Sequence, residues 1–267
     1  MNLPRIGVFD SGFGGLTVLK ELLLLVPASQ YLYFGDTARL PYGSKSAETV
    51  AKYAISSAKF LEAHGMDLLV IACNTATALA YEQITHAVTL PVVGVVEPGA
   101  QRTAEATRNR RAVIIGTEAT ISSHAYQRSL AALGLTVREK ACPLLVPLVE
   151  EGWTEHPVTE QVARIYLDEA FADGFQNADV LLLGCTHYPL LRPLLGRVAP
   201  RNVTIVDSAE STARAVAEKL GSGNSKVGTP NPKLRFFATD SVEKFRRLGE
   251  RFLGRSIQDV QHIDIES

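Results

Sequence analysis

Two stretches with nearly the same pattern decide the fold of this chain: DVLLLGCTHYP at residues 179–189 and DLLVIACNTAT at residues 67–77. Each begins with an aspartate, continues through aliphatic residues and reaches a cysteine six positions later. Small and hydroxyl residues then follow, as they do where a helix begins. The continuous apolar runs predict strands that are buried on both faces. The repeat therefore predicts a duplicated fold with one thiol, Cys73 or Cys185, at the carboxyl end of a buried strand in each half.

The rest of the chain alternates short apolar runs with longer amphipathic stretches. Strands are predicted at residues 5–9, 30–34, 67–72, 91–96, 111–115, 135–140, 180–183, 203–206 and 234–239. Helices are predicted at 16–26, 47–64, 75–86, 98–109, 122–133, 159–172, from 189 onward and at 242–253, with Asp240 as the cap of the last one. Loops are predicted through Pro143 and Pro147 and at residues 221–232.

This alternation is typical of α/β proteins with mostly parallel sheets flanked by helices. We predict two similar lobes related by an internal pseudo-two-fold duplication, with the active site in the cleft between them. Residues 1–97 would form the first lobe and residues 98–207 the second. Residues 208–267, which have no counterpart in the second unit, would return and complete the first lobe.

The composition excludes several classes of protein. The 267 residues are 46% hydrophobic and carry a formal net charge of −1, so no excess of positive charge points to nucleic acid as the main partner. No apolar run is long enough to span a bilayer, and the amino terminus lacks a signal-peptide pattern, which predicts a cytoplasmic protein. Three widely spaced cysteines argue against a disulfide framework.

Two motifs invite a cofactor or a metal ion, and neither fits well. Gly12, Gly14 and Gly15 follow a predicted strand as in a dinucleotide site, but Thr17 stands where the fingerprint requires its third glycine. For Zn²⁺, only one residue separates Cys185 from His187, which is fewer than zinc sites usually have. We therefore predict neither a nucleotide cofactor nor a metal.

The two repeated cysteines are better candidates for chemistry. Each follows a strand and precedes a predicted helix start, where backbone N–H groups and the helix dipole favour a thiolate. Cys142 lacks this setting and is assigned no chemistry, while His187 either assists the site or serves as a structural residue. A cysteine–histidine hydrolase would need only one thiol.

A two-base racemase or epimerase would use both thiols, because it removes a proton from one face of a carbon and delivers another to the opposite face. Hydroxyl and amide donors in the predicted loops fit the carboxylates of a small amino acid; they are Ser11, Asn74, Thr75, Thr117, Thr120 and Thr186.

Five segments together resemble the glutamate racemases of the cofactor-independent aspartate/glutamate racemase superfamily. They are DSGFGGLTVL at 10–19, GDTARLPYG at 35–43, ACNTAT at 72–77, GTEAT at 116–120 and GCTHYPLL at 184–191. The resemblance implies a bacterial cytoplasmic enzyme that interconverts L- and D-glutamate for peptidoglycan synthesis without pyridoxal phosphate or metal. It also implies a homodimer, whose geometry varies among relatives.

The resemblance further implies roles for individual residues. Cys73 would act on the D-enantiomer and Cys185 on the L-enantiomer. Residues that would contact substrate or support the thiols are Asp10, Ser11, Tyr42, Gly43, Asn74, Thr75, Thr186 and His187, with Thr117 and Thr120 binding carboxylate. Glu150 or Glu151 would assist, and the motif favours Glu150. Two alternatives stay open: a racemase for aspartate or another amino acid, and a two-lobed amino-acid-binding protein without turnover.

Overall fold

The computed structural model describes residues 3–221 and 232–265. Its strands are β1 (Arg5–Asp10), β2 (Gln30–Gly35), β3 (Leu68–Ile71), β4 (Val92–Gly94), β5 (Arg111–Gly116), β6 (Thr136–Ala141), β7 (Val180–Gly184), β8 (Thr204–Asp207), β9 (Leu234–Ala238) and β10 (Val260–His262). Its helices are α1 (Leu16–Leu25), α2 (Ala47–Ala63), α3 (Asn74–Ala87), α4 (Val96–Ala106), α5 (Glu118–Ser122), α6 (Ala125–Ala132), α7 (Leu145–Glu150), α8 (Pro157–Ala170), α9 (Arg192–Val198), α10 (Ser208–Lys219) and α11 (Val242–Leu253). Short 3₁₀ turns lie at Tyr42–Ser44 and Tyr188–Leu191.

The strands form two parallel sheets with a shared order. The first sheet runs β10-β9-β2-β1-β3-β4 and the second runs β6-β5-β7-β8. Four consecutive strands of the first sheet, β2-β1-β3-β4, therefore have the same order as the whole of the second. The prediction of an α/β fold built from two similar units with mostly parallel sheets is confirmed.

This strand order decides where a ligand can bind. In the first sheet the chain passes from β1 to β2 on one side of it and then crosses to β3 on the other side. In the second sheet β5, β6 and β7 are connected in the same way. The pairs β1 and β3, and β5 and β7, therefore flank topological switch points. Ligands of open α/β sheets bind in the crevice beyond the carboxyl ends of such strands. Asp10 and Cys73 stand at that edge of the first sheet, and Thr117 and Cys185 stand at that edge of the second.

The core covers both faces of the central strands, which explains their continuous apolar sequence. Val8 and Val70 belong to one hydrophobic cluster, whereas Leu69 and Ile71 pack into a separate one on the opposite face of the first sheet. The cluster of Val8 also contains Leu181 of β7, so apolar packing runs from the first sheet to the second. Across residues 3–221 and 232–265, no helix is both long enough and apolar enough to cross a bilayer.

The carboxyl-terminal segment adds two strands to the first sheet. β9 pairs in parallel with β2, and β10 then pairs with β9. Neither β10 nor α10 is among the elements predicted from the sequence. The lobe boundaries at residues 97 and 207 stay predictions, and of the predicted loop at 221–232 the residues 222–231 lie outside the described part of the chain.

Two predicted elements are wrong in the second half. The helix at 122–133 is in fact two helices, because the Thr117 hydroxyl accepts from the backbone N–H of Thr120 and starts α5 early, and His124 then adopts a left-handed conformation. The loop through Pro143 and Pro147 contains helix α7. Pro147 lies in its first turn, where a backbone N–H has no partner within the helix, so proline is tolerated.

The start of one helix and the cap of another also differ from the predictions. The strand predicted at 91–96 ends at Gly94, and Val96 already begins α4 despite its β-branched side chain. Asp240 does not cap the last helix: Ser241 occupies the N-cap with φ of 52°, and the Asp240 carboxylate accepts from the backbone N–H of Ser241.

Candidate active site

The carboxyl ends of the two sheets meet around a cavity of about 170 Å³ that both Cys73 and Cys185 line. Its size is below the roughly 300–1,000 Å³ of pockets for drug-sized ligands, so it suits one small molecule. Of the other residues predicted to contact substrate, those that line the cavity are Ser11, Tyr42, Gly43, Asn74, Thr75, Thr117, Thr186 and His187. Asp10, Thr120 and Glu150 lie behind this lining.

Cys73 occupies the N-cap of α3. Its Sγ accepts from the backbone N–H of Ala76 at 3.4 Å, and its thiol donates to the Ser11 hydroxyl at 3.6 Å. Burial raises the pKa of Cys73 to about 12, and the nearby Asp10 carboxylate acts in the same direction. The prediction of a thiolate at this helix start is therefore wrong, because the loss of hydration outweighs the helix N–H group. At neutral pH Cys73 is a thiol and can serve as an acid.

Cys185 has different surroundings, although it follows the equivalent strand. The predicted helix start is absent here: turn residues and a 3₁₀ turn follow the cysteine, and α9 begins only at Arg192. Cys73 contacts a backbone N–H group of a helix, whereas Cys185 contacts a side chain: its Sγ lies 3.9 Å from His187 Nδ1. His187 Nε2 in turn lies 3.3 Å from Glu150 Oε1.

The contacts of His187 with Cys185 and Glu150 favour its protonated, positively charged form. Burial alone lowers its pKa, but the hydrogen bonds and charges of Cys185 and Glu150 raise it to about 10. Burial likewise raises the pKa of Glu150, and His187 and Lys244 reverse that effect so that it falls below its usual value. Lys244 Nζ lies 3.6 Å from Glu150 Oε2. At neutral pH the imidazolium therefore lies between the Cys185 sulfur and a carboxylate.

Asp10 is a buried carboxyl group next to the other thiol. Its Oδ2 accepts from the backbone N–H of Gly12 at 2.9 Å, while Oδ1 has no hydrogen-bond partner in the described residues. Burial raises the pKa of Asp10, and the charge of His187 opposes this rise. Because its own charge raises the pKa of Cys73, Asp10 is electrostatically linked to both halves of the cavity.

Three threonine hydroxyls join the two sheets at one side of the cavity. Thr75 Oγ1 lies 2.9 Å from Thr117 Oγ1 and 3.1 Å from Thr120 Oγ1, and Thr117 donates to Thr120 at 2.9 Å. Thr75 is in the first turn of α3, whereas the other two belong to the start of α5. Thr120 is fully buried behind the pair, so it can reach a ligand only through the other two hydroxyls.

The 3₁₀ turn at Tyr42–Ser44 brings a further part of the first half to the cavity. The Tyr42 hydroxyl donates to Asp36 Oδ2 at 2.5 Å, and Thr239 donates to the other carboxylate oxygen at 3.0 Å. A Cβ at Gly43 would lie 2.8 Å from Thr117 Cβ, so only glycine lets this backbone approach the second half.

The glycine turn after β1 serves the same purpose. A Cβ at Gly14 would collide with the side chains of Thr186 and His187. The turn therefore packs against the segment that carries Cys185. Asp36 lies in the sequence about where a dinucleotide site has its ribose-binding acid, but its carboxylate accepts hydrogen bonds from Tyr42 and Thr239. These contacts explain the glycines and the aspartate without a nucleotide.

Two pairs of similar residues have different surroundings in the structure. Glu150 contacts His187, whereas Glu151 is exposed to solvent. Cys142 is buried but does not line the cavity, and its thiol donates to the backbone carbonyl of Lys140 at 3.6 Å.

Several residues of the cavity wall and its support were not among those predicted from the sequence. The lining residues without a prediction are Pro41, Ser44, Glu118, Pro143, Val146 and Pro147. Glu118 lies inside the GTEAT motif, where the motif itself could have indicated it, whereas Val146 lies on α7, which the prolines concealed. Lys244 comes from α11, and no local pattern connects it with Glu150.

Comparisons with known proteins agree with this architecture. Residues 6–216 match the model of the Asp/Glu/hydantoin racemase family. A glutamate racemase of Koribacter versatilis is 58% identical over 98% of both chains. The crystal structure of a Bacillus anthracis glutamate racemase has 37% identity and a TM-score of 0.91, covering 99% of this chain and 98% of that one. A Francisella tularensis glutamate racemase in complex with D-glutamate has 34% identity and a TM-score of 0.88 over 99% and 98%. The chain therefore belongs to the Asp/Glu/hydantoin racemase family, among its glutamate racemases.

Proposed function

We propose that this protein interconverts L- and D-glutamate by proton transfer at Cα between two thiols. The observation that carries the proposal is that Cys73 and Cys185 line one small cavity from the ends of equivalent strands. Inversion at a carbon requires a base on one face and an acid on the other, and a pair of cysteines supplies both. The glutamate racemases among its relatives, one of them in complex with D-glutamate, support glutamate as the substrate.

In the direction from L- to D-glutamate, Cys185 is the base. Its thiolate is stabilised by the His187 imidazolium at 3.9 Å and removes the α-proton. Cys73, a thiol at neutral pH, donates its proton to the opposite face and gives the D-enantiomer. In the reverse direction Cys73 is the base and Cys185 the acid, and Asp10 is the group beside Cys73 that takes up or returns a proton.

Donors around the cavity would hold the two carboxylates of the substrate. We assign this role to Ser11, Asn74, Thr75, Thr117 and Thr186, with the backbone of Tyr42 and Gly43 completing the wall. Thr120 supports Thr75 and Thr117 from behind. Fixed donors of this kind also stabilise the negative charge that develops when the α-proton leaves.

The wider role follows from the family. D-glutamate made by the enzyme would supply peptidoglycan synthesis, and we propose a cytoplasmic location and a homodimer for the same reason. We also propose that residues 1–97 with 208–267 and residues 98–207 act as the two lobes that hold the substrate between them.

An optical-rotation assay tests the substrate directly. The purified protein is incubated with L-glutamate and with L-aspartate in separate samples and without added cofactor. We expect the rotation of the L-glutamate sample to fall to zero while that of L-aspartate persists. Loss of rotation with L-aspartate alone would identify an aspartate racemase. Unchanged rotation in both samples, together with saturable glutamate binding, would identify a binding protein without turnover.

A further inference from the structure

Tyr126 of α6 is a fully buried residue that contacts both segments that carry the cysteines. Its hydroxyl donates to Asn74 Oδ1 at 2.6 Å, and Asn74 directly follows Cys73. One edge of its ring lies against Gly184, directly before Cys185, where a Cβ would be 3.1 Å from Tyr126 Cε2. The other edge lies against Gly99 of α4, where a Cβ would be 3.3 Å from Cε1 and from the hydroxyl. Two glycines therefore fix the position of this ring.

The hydroxyl of Tyr126 also fixes the orientation of the Asn74 amide. Because Oδ1 already accepts from Tyr126, the other end of the amide must be the donor, Nδ2. Nδ2 is buried and has no hydrogen-bond partner within residues 3–221 and 232–265, although Asn74 lines the cavity. An unpaired buried donor is unfavourable, so a carboxylate in the cavity would gain a hydrogen bond and remove that cost.

The donor role of Tyr126 holds over the working pH range. Burial raises the pKa of its hydroxyl, and a hydrogen bond with Ser208 of α10 offsets only part of that rise. The phenol therefore keeps its hydrogen at neutral pH.

We infer that Tyr126 is a positioning residue for the racemase reaction, which holds the Asn74 amide with its donor toward the carboxylate of the substrate. The inference rests on the proposed function and extends it to a residue outside the cavity wall. Without the phenolic hydroxyl, the amide is free to rotate and present its oxygen, which repels a carboxylate. Tyr126 acts through Asn74 and has no contact of its own with the substrate.

The substitution Tyr126→Phe removes the hydroxyl and keeps the ring between its two glycines. A hydrogen bond to a charged group contributes about 1.5–3 kcal/mol, which corresponds to a rise in the KM for glutamate of about 10- to 140-fold. We expect kcat to change much less, because the carboxylate is bound in both the ground state and the transition state. The matched control is Tyr31→Phe. Tyr31 is also buried and donates to the carbonyl of Val26 at 2.6 Å, but it does not line the cavity.

A double-mutant cycle separates positioning from simple packing. If Tyr126 acts through Asn74, the Asn74→Ala variant and the variant with both substitutions should have the same KM. The rise in melting temperature on adding D-glutamate provides a readout independent of turnover. Tyr126→Phe should lose most of this rise, and Tyr31→Phe should keep it.

Two results would overturn the inference: a KM for Tyr126→Phe within about twofold of wild type, or losses that multiply in the double variant. The activity of the wild-type protein distinguishes a failure of the proposed function from a failure of the role of Tyr126. A wild-type protein that fails to racemise glutamate contradicts the proposed function, whereas an active wild type with an unaffected Tyr126→Phe variant contradicts only the role of Tyr126.

Discussion

At the scale of single residues, the two thiols differ although their strands are equivalent. Cys73 is surrounded by the Asp10 carboxyl, the Ser11 hydroxyl and the first turn of α3, and burial keeps it protonated. Cys185 has a charged histidine next to it, which Glu150 holds in place. The proposed mechanism uses this difference: with L-glutamate as substrate, Cys73 is the acid and Cys185 the base.

This difference predicts that Asp10→Asn and His187→Asn impair the two directions unequally. Losing a general acid or base costs about 10²–10⁴-fold. Enantiomers have equal free energies in water, so kcat/KM must fall equally in both directions, and the asymmetry must show in kcat and KM measured separately. Cys142→Ala, a buried thiol outside the cavity, is the control and should keep nearly full activity. Small and equal changes in both directions would leave Asp10 and His187 with structural roles only.

A second prediction at this scale concerns pH and stability. Because the pKa of His187 is raised from 6.5 to about 10, its protonated form stabilises the folded protein. That contribution is complete below pH 6.5 and is lost as the pH rises through about 10. Glu150→Gln should therefore lower the melting temperature most near pH 6.5, and the difference from wild type should shrink toward pH 10. Glu151→Gln, which alters an exposed acid, should show no such trend; a constant deficit for Glu150→Gln would contradict the ion pair.

At the scale of elements, the turn between β1 and α1 brings the two halves into contact. Gly14→Ala would push a methyl group into the side chains of Thr186 and His187 and so displace the support of Cys185. A displacement of about 1 Å can cost on the order of 10²-fold in rate, and we expect a loss of kcat of that order. The control is Gly196→Ala in α9, where no atom of the described residues lies within 4 Å of the added methyl group, apart from its chain neighbours and the backbone of its own helix. It should retain activity and gain about 0.5–1 kcal/mol of stability. Full activity of Gly14→Ala would show that this contact is not needed.

Helices and strands were predicted correctly from the sequence wherever a single hydrophobic pattern was clear. Continuous apolar runs located β3 and β7 because both faces of these strands are covered. Helix α7 was missed because Pro147 suggests a loop, although proline is tolerated in a first helical turn. The break at His124 depends on the cap made by Thr117, a side-chain contact that periodicity does not contain.

At the scale of the whole molecule, the repeat made the architecture predictable. The aspartate and the cysteine are six positions apart in both stretches, at Cys73 and at Cys185, which indicated two equivalent units. The matching strand orders of the two sheets agree with this prediction. Contacts between distant segments were not predictable in this way. Lys244 reaches Glu150 from the last helix, and Tyr126 reaches Asn74 across the two sheets. Each of these two contacts depends on how the units pack together, and no local sequence pattern predicts that packing.

If both units supply a thiol, replacing either one should stop the reaction in both directions. Serine is nearly isosteric, but its hydroxyl is a far weaker acid and its alkoxide is scarcely populated. Cys73→Ser and Cys185→Ser should each lose about 10²–10⁴-fold or more in racemisation rate. The melting temperature of each variant checks that the fold is intact. A serine variant at near the wild-type rate would show that its cysteine takes no part in proton transfer.

The most direct test of the two-thiol mechanism is the isotope at Cα of product formed in D₂O. A thiol exchanges its hydrogen with solvent readily, so the cysteine that protonates the second face should deliver deuterium. We predict that D-glutamate formed from L-glutamate in D₂O carries deuterium at Cα from the first turnovers, while the remaining L-glutamate carries much less. Mass spectrometry of the separated enantiomers makes the measurement. Product that keeps its original α-hydrogen would contradict the mechanism, even if glutamate proves to be the true substrate.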